Sequence, residues 1–350
     1  MYYASGSLAT YFDVSYDKQI QGVGSKSIAD EFIVNIKKYI PDDFITNYDV
    51  FIQTVQSDAY SFKPMGEKIC EYNIDDEDDT SYEIYMGTFL TPGLKQYHRR
   101  LRTFVLYYIE VAGGENIYSI VGFCTAYPYY FYDLEKIING TKSNMNNEKS
   151  ILLINEDINP ITSIRMRISQ YVVFPPFRNK GHGGKLYQAL YNNYLADSRI
   201  KEITVEDPNE AFQELRDRKD LAFIMENKLF EGLKAPVDKK LIESLRKKYK
   251  FEKRQFSRCL EILLLRSLDK TNVEEYKAYR LQVKERLYHW NAESLRQFTV
   301  DERKQHLGET SSYVTSVYEP RIPSTRIDII TNDVIVSDET EKIGKADENI

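Results

Sequence analysis

The chain has 350 residues, 42% of them hydrophobic and 29% charged, a composition that fits a folded protein of two or three domains. Its net charge of -6 excludes a basic nucleic-acid footprint over the whole chain, and no apolar run reaches the roughly 18 residues of a membrane span. The start, MYYASGSLATYF, lacks the basic segment and long apolar core of a signal peptide.

Three widely separated cysteines, Cys70, Cys124 and Cys259, carry no metal spacing and read as reduced thiols of an intracellular protein. Tyrosine is abundant, with 28 copies, and is read mainly as core and interface filling.

Residues 1–91 read as mixed α+β. A strand is expected at 11–14. Ser27-Ile28-Ala29-Asp30 forms a capping box ahead of Phe32, Ile33, Ile36 and Ile40, so a helix starts there and Pro41 closes it. A short second helix is expected at 48–55, and alternation predicts strands at 68–74 and 82–89. The acidic run 75–79, DDEDD, is either a solvated loop or an acidic lip for a basic peptide. Thr91-Pro92 fits a helix start. Leu94, Tyr97, Leu101, Val105 and Tyr108 then recur at helical spacing through about Ile109, which places Glu110 at the far end of that helix. Gly113-Gly114 break the chain, 117–132 is an aromatic strand region, and 134–163 is a polar loop with a short strand at 150–154.

The most informative stretch follows, RISQYVVFPPFRNKGHGGKLYQALYNNYLA at 167–196. Its first part is a mostly buried strand, which Pro175-Pro176 stop because neither proline donates a ladder bond. A turn rich in glycine and cation, Arg178-Asn179-Lys180-Gly181-His182-Gly183-Gly184, precedes Leu186, Leu190 and Tyr194 at helical spacing. Strand, glycine-rich turn and helix make an anion site: the first helical amides lack partners and glycine admits close approach. The other reading is a plain strand–helix turn with glycines for geometry. The turn is neither a P-loop nor a dinucleotide fingerprint.

Beyond it, 203–205 is a strand ending in Glu206-Asp207, and Pro208-Asn209 open a helix with Ala211, Phe212, Leu215 and Leu221 on its apolar side. Residues 235–308 read as all-helical, with helices at 238–250, 252–268 and 273–298. Residues 309–350 read as a largely disordered tail with a weak strand-like run at 326–336.

Glu206-Asp207 is a carboxylate pair at a strand end beside an anion site. Transfer of an acyl group to lysine needs a base, because a free lysine with a pKa of about 10.4 is almost wholly protonated at neutral pH. Burial or a like-charged neighbour raises a carboxylate toward the working range. Successive strand residues face opposite ways, so one of the two aims at any given site. The alternative is helix capping by Asp207 and a solvated Glu206. His182 is taken as a position that supplies backbone, and His98, His289 and His306 as structural or exposed.

The turn resembles the R/Q-x-x-G-x-G/A pyrophosphate loop of GCN5-related N-acetyltransferases. The segment 167–218 is similar to the catalytic subunits of type B histone acetyltransferases, a branch of that superfamily, on SQYVVFPPFRNKGHGG, TVEDPN and Leu215-Arg216-Asp217-Arg218. Further likeness runs through ASGSLATYF, KQYHRR, 127–130 and RQFSRCLEILLL, about 300 residues in all.

The resemblance implies an α+β fold with a mixed central sheet. It implies an N-terminal α+β domain (1–91), an acetyltransferase core (92–230), a C-terminal helical domain (231–308) and the tail (309–350). It also implies acetyl-CoA as co-substrate and no metal. Glu206 would be the general base, with Glu110 and Asp207 as supporting carboxylates. Tyr171, Val172 and Val173 would line the pantetheine, with a backbone N–H there for the thioester oxyanion. The turn Arg178, Asn179, Lys180, Gly181, His182, Gly183 and Gly184 would wrap the pyrophosphate, and Asn209 and Arg218 would touch the coenzyme. Tyr127, Pro128 and Tyr129 would wall the groove for the substrate tail.

Implied partners are the N-terminal tail of newly made histone H-four and a WD-repeat histone chaperone bound by the N-terminal region. The resemblance implies no direct contact with nucleic acid or membrane, and a setting in cytoplasm and nucleus. Two departures stand out. The family's acidic N-terminal extension has no counterpart before ASGSL. The span 111–120 is too short for the further strand that the family places between the helix and the VGF strand. A transferase for another amine and a subunit that binds without turnover remain as alternatives.

Overall fold

The run RLRTFVLYYIEVA places buried side chains at Phe104, Leu106, Tyr107 and Ile109, apolar on both faces, as in a strand with neighbours on either side. In a computed structural model of the chain, this run is the strand β5. The structure describes residues 1–15, 34–40, 42–74, 81–90, 100–112, 114–131, 163–269 and 271–322.

The strands are β1 (Tyr2–Tyr3), β2 (Thr10–Tyr11), β3 (Glu67–Tyr72), β4 (Ser81–Leu90), β5 (Arg100–Ala112), β6 (Glu115–Tyr130), β7 (Ile164–Val173) and β8 (Ile200–Val205). β1 and β2 form a two-stranded sheet. The rest form a six-stranded sheet in chain order, β3-β4-β5-β6-β7-β8. It is mixed: β3 and β4 run antiparallel, while β7 and β8 run parallel. β6 and β7 run antiparallel, since Phe131 bonds Ser163 at one end and Gln170 N–H donates to Thr125 nearer the other.

The helices are α1 (Tyr48–Ser61), α2 (His182–Ala196), α3 (Glu210–Glu226), α4 (Lys239–Lys248), α5 (Lys253–Ser267), α6 (Val273–Trp290), α7 (Ala292–Leu295) and α8 (Val300–Tyr318).

The chain divides into two compact units. The first comprises Met1–Gly87 and Val105–Gly122. Its core is aromatic: Phe51 of α1 lies 5.6 Å from Tyr11, and Phe62 packs at 5.8 Å on Tyr107 and 6.5 Å on Tyr118. Much of the tyrosine excess is spent as such filling. Asn47 caps α1, accepting from Val50 N–H at 3.1 Å.

The second unit comprises Thr88–Phe104 and Phe123 onward. Here α2 is the crossover between parallel β7 and β8, burying Leu186, Tyr187, Leu190, Tyr191 and Tyr194. The apolar α5 buries Phe256, Leu260, Ile262, Leu264 and Leu265, and α6 covers it with Tyr279, Val283 and Leu287. Polar groups are sunk among them. Glu261 accepts from Arg286 at 2.5 and 2.7 Å and from Tyr318 at 3.0 Å.

Three expectations are corrected. Residues 100–112 are strand rather than helix, because apolar residues on both faces of a central strand also satisfy helical spacing; 91–99 lie outside the described residues. β5 therefore supplies the strand thought missing before β6, and the two join at Gly114, whose φ of +84° suits glycine. Residues 309–321 are ordered as the end of α8 and a 3-10 turn, anchored by a Thr299/Glu302 capping box and by buried Tyr318. The expected helix 273–298 ends at Trp290, where Asn291 N–H closes on Leu287 O, and α7 follows. The acidic run 75–79 and the expected strands at 150–154 and 326–336 also lie outside the described residues.

One side chain closes the α2 crossover. Lys250, 8% exposed, donates from Nζ to the carbonyls of Tyr194 (2.9 Å), Leu195 (2.7 Å) and Asp197 (2.7 Å), while its own carbonyl accepts from Ile203 N–H at 2.9 Å. The Tyr194 and Leu195 carbonyls lie in the last turn of α2, where intrahelical donors run out, whereas Asp197 O also accepts from Ile200 N–H at 3.0 Å; a cation there also suits the helix dipole. Replacing Lys250→Met keeps the bulk and removes the donors. It should cost about 2–4 kcal/mol, read as a lower urea midpoint with the same slope. A loss under about 0.5 kcal/mol would show that water serves those carbonyls equally well.

Candidate active site

β7 and β8 pair in parallel from Ile164↔Ile200 to Ile168↔Val205, and the last bond runs from Glu206 N–H to Ile168 O at 2.9 Å. Beyond it the chain leaves β8 through Asp207, held at a φ of +38° that Asp tolerates better than most residues. β7 continues. Ser169, the first residue past the shared ladder, donates from Oγ to Glu206 Oε2 at 2.8 Å. From β6, Tyr127 OH donates to Glu206 Oε1 at 3.0 Å. Tyr129 OH donates to Tyr127 OH at 2.9 Å, and Arg167 Nη1 donates to Tyr129 OH at 3.3 Å with its guanidinium 4.8 Å from that ring. Tyr127 and Tyr129 are two apart on β6, and Arg167 and Ser169 two apart on β7. The strand period therefore brings each pair to one face, and Pro128 to the other.

This cluster fixes the charge of Glu206. Hydrogen bonds from Ser169 and then Tyr127 hold its carboxyl below the usual glutamate range, aided by the nearby Arg167 guanidinium. The expectation of a raised carboxylate is thereby corrected: the donors that the partly exposed side chain gains outweigh its partial loss of water. Burial pushes the Tyr127 hydroxyl upward, as do its bonds with Tyr129 and Glu206, so it stays a donor. Each carboxylate oxygen uses one acceptor site and keeps another for an incoming ammonium or water.

The other carboxylates sit differently. Asp207 is exposed, and it does not cap the next helix; Asn209 does, its Oδ1 accepting from Phe212 N–H at 2.9 Å. Glu110 is exposed near the end of β5 and belongs to the first unit. Ser169 and Arg167 were not singled out from sequence. Their signal was present: both alternate onto one face of the strand that pairs with the Glu206 strand.

The glycine-rich turn starts where β7 ends. Pro175–Phe177 form a 3-10 turn, and Arg178 Nε folds back to donate to Val173 O at 2.9 Å. Asn179 and Gly181 take positive φ, +58° and +83°, and α2 begins at Gly181 with no side-chain cap. Its first amides are thus left to a ligand or water. A Cβ on Gly183 would stand 2.8 Å from Leu215 Cδ1, so that leucine would have to shift to admit one. Backbone geometry accounts for Gly181.

The side chains of Arg178, Asn179 and Lys180 are exposed, whereas His182 and Gly184 are buried. Burial and the neighbouring Lys180 push the His182 imidazole down to about 4, so it is neutral at pH 7 and adds no charge to the turn. Tyr171 donates to Gly183 O at 2.5 Å and packs 4.7 Å from Phe212. Tyr171 thus ties the end of β7, where Tyr171, Val172 and Val173 are half-buried, to the turn and to the first turn of α3, which Asn209 caps; Arg218 lies further along α3.

A carboxylate held ionised at one strand end, beside a helix start that offers bare amides to an anion, suits acyl transfer from a phosphate-bearing donor to an amine. Comparison with known proteins agrees. The family model for the N-terminus of histone acetyl transferase HAT1 matches residues 1–110, and that for the C-terminal part of fungal HAT1 matches 217–269. The histone acetyltransferase type B catalytic subunit of Cryptococcus neoformans var. neoformans serotype D is 35% identical, the match covering 91% of this chain and 82% of that protein. The corresponding subunit of Mycosarcoma maydis is 32% identical over 90% of this chain and 76% of its own length, and that of Homo sapiens 26% identical over 82% and 68%. A match of this extent, running from the N-terminal unit through the Glu206 strand into the C-terminal helices, means that the chain belongs to the family of histone acetyltransferase type B catalytic subunits.

Proposed function

We propose that the chain transfers the acetyl group of acetyl-CoA to lysine side chains in the N-terminal tail of newly made, free histone H-four, with Glu206 as general base while both substrates are bound. The observation that carries this reading is the Glu206 carboxylate at the end of β8. It is ionised by Ser169 and Tyr127 and keeps free acceptor sites beside the turn. Its family supplies the reaction class, as the related proteins are named histone acetyltransferases.

Acetyl-CoA brings a thioester to the site. The main chain of Tyr171, Val172 and Val173 would hold its pantetheine, and a backbone N–H among them the developing oxyanion. The amides from Arg178 to Gly184 at the uncapped start of α2 would hold the diphosphate. Asn209, whose cap leaves its amide nitrogen to donate, and Arg218 would touch the coenzyme from α3. The lysine enters as ammonium. Glu206 draws the cation and takes its proton, directly or through one water. The neutral amine then bonds to the acetyl carbon, the carbon–sulfur bond breaks, and the proton lost by the attacking nitrogen passes to the sulfur, so the coenzyme departs as thiol; Glu206 returns its proton to solvent.

Because Glu206 is held low, its advantage is constant charge across the neutral range more than basic strength. Asp207 and Glu110 would add negative charge for a basic tail, and Tyr127, Pro128 and Tyr129 would wall its groove. A WD-repeat histone chaperone bound to the N-terminal region, and residence in both cytoplasm and nucleus, complete the proposal. A subunit that binds without turnover found its support in the short segment after Glu110. β5 and β6 occupy that segment as ordinary neighbouring strands, so the support is gone.

With a histone-tail peptide and acetyl-CoA, Glu206→Gln should lower kcat by about 10²–10⁴-fold and leave acetyl-CoA affinity within about twofold. Activity within about threefold of the parent would contradict the assignment. A second expectation concerns pH. Ser169→Ala and Tyr127→Phe each remove a bond that favours the carboxylate, so the Glu206 pKa rises and less base is ionised at a given low pH. The acid limb of kcat/KM should therefore move to higher pH, most for Ser169→Ala. A limb that stays in place or moves lower would refute the role of those bonds.

A further inference from the structure

A cavity of about 1110 Å³ lies in the second unit between β7 and β8 on one side and α5, α6 and α8 on the other. Nine basic side chains line it against three carboxylates. Carboxylates in and behind the wall offset part of that charge. Asp217 accepts from Arg258 at 2.7 Å, Glu202 pairs with Arg165 at 2.5 Å and Arg246 at 2.7 Å, and Glu261 pairs with Arg286.

Four lining guanidinium groups nonetheless keep a buried nitrogen with no hydrogen-bond partner: Arg165 Nε, which has its ion pair with Glu202, and Arg167 Nε, Arg216 Nε and Arg321 Nη1. Arg216 is only 5% exposed. Its nearest carboxylate, Asp220, is 3.6 Å away and already accepts from Tyr187 and Gln255. Arg321 Nη1 stands 3.5 Å from Asp217, which is taken by Arg258 and Gln255. A desolvated guanidinium N–H without an acceptor is costly, so an acceptor entering the cavity gains what the protein leaves unmade.

We propose that this cavity binds a small molecule carrying several phosphate groups. The unmet donors come from β7, α3 and the segment after α8, so they converge from different directions. A tetrahedral phosphate offers oxygens toward several of them at once, whereas a carboxylate offers two in one plane. The space admits more than one phosphate, and the excess of cations excludes the lysine-rich tail from this position. The site is distinct from the turn at 178–184 and holds whether or not that turn grips a coenzyme. It meets the Glu206 cluster at Arg167, which also donates to Tyr129.

Two probes separate a linear from a cyclic source: inorganic tripolyphosphate and inositol hexakisphosphate, titrated calorimetrically into the intact chain at physiological salt. Saturable binding of at least one is expected, and the tighter of the two identifies the source. Arg216→Met should weaken it about tenfold. Since Arg216 is buried, Arg254→Met serves as a second variant. Arg254 lines the same cavity from an exposed position over the Trp290 ring at 5.1 Å, so its replacement spares the core, and a similar loss is expected. Arg178→Ala in the turn should change affinity by less than about twofold. The proposal is overturned if neither probe binds below about 1 mM, or if both cavity variants keep full affinity whatever Arg178→Ala does.

Discussion

The parallel pairing of β7 with β8 is the constraint from which the rest follows. Parallel neighbours end on the same side of a sheet, so whatever follows each strand emerges at one edge. After β7 comes the turn and the start of α2; after β8 come Glu206 and the start of α3. The ladder stops at the bond from Glu206 N–H to Ile168 O. Past that point β7 runs on unpaired by β8, which lets Ser169 and the tyrosines of β6 turn to the Glu206 carboxylate. A pairing shifted by one residue would send Glu206 to the opposite face and dissolve the cluster. Lys250 secures this pairing from the far end by closing α2 and bonding β8 through its own carbonyl.

Electrostatically, the site works by holding charge in place. Glu206 is stabilised as an anion by two neutral hydroxyl donors, and the nearby Arg167 guanidinium, which donates to Tyr129, aids them through its charge. A direct salt bridge would have occupied the acceptor sites that a lysine needs. The C-terminal helices handle charge by another route. Asp220, buried beneath Tyr187 and Gln255, is pushed up to about 6 by its burial, and Asp217 is fully buried among Gln213, Gln255 and Arg258. Such networks cost desolvation and leave donors over, which is how a cavity rich in arginine can persist inside a folded unit.

Much of this was legible in the amino-acid sequence because the signals were local. The prolines and glycines of 175–184 mark the end of β7 and the start of α2, Asn209 opens α3, and the apolar LEILLL run marks α5. β5 was not legible. A central strand carries apolar residues on both faces, and Leu101, Val105 and Tyr108 then match a helical period as well as a strand. The end of α8 was missed because its anchor, the contact of Tyr318 with Glu261, depends on tertiary placement, whereas the local Thr299/Glu302 box marks only the start of the helix. At the site, the position of Glu206 was readable from its strand end, but its lowered pKa was not. That shift depends on Ser169 and Tyr127, which lie 37 and 79 residues away.

The claim that one strand-pair edge serves both the coenzyme and the lysine is tested most directly by a crystal structure with a bisubstrate analogue, coenzyme A joined to the side-chain nitrogen of a lysine in a histone-tail peptide. The account predicts the diphosphate on the main-chain amides between Lys180 and Gly184. It also predicts the linked nitrogen within hydrogen-bond reach of Glu206, about 3 Å or one bridging water. A diphosphate seated elsewhere, or a Glu206 carboxylate turned away from that nitrogen, would contradict it.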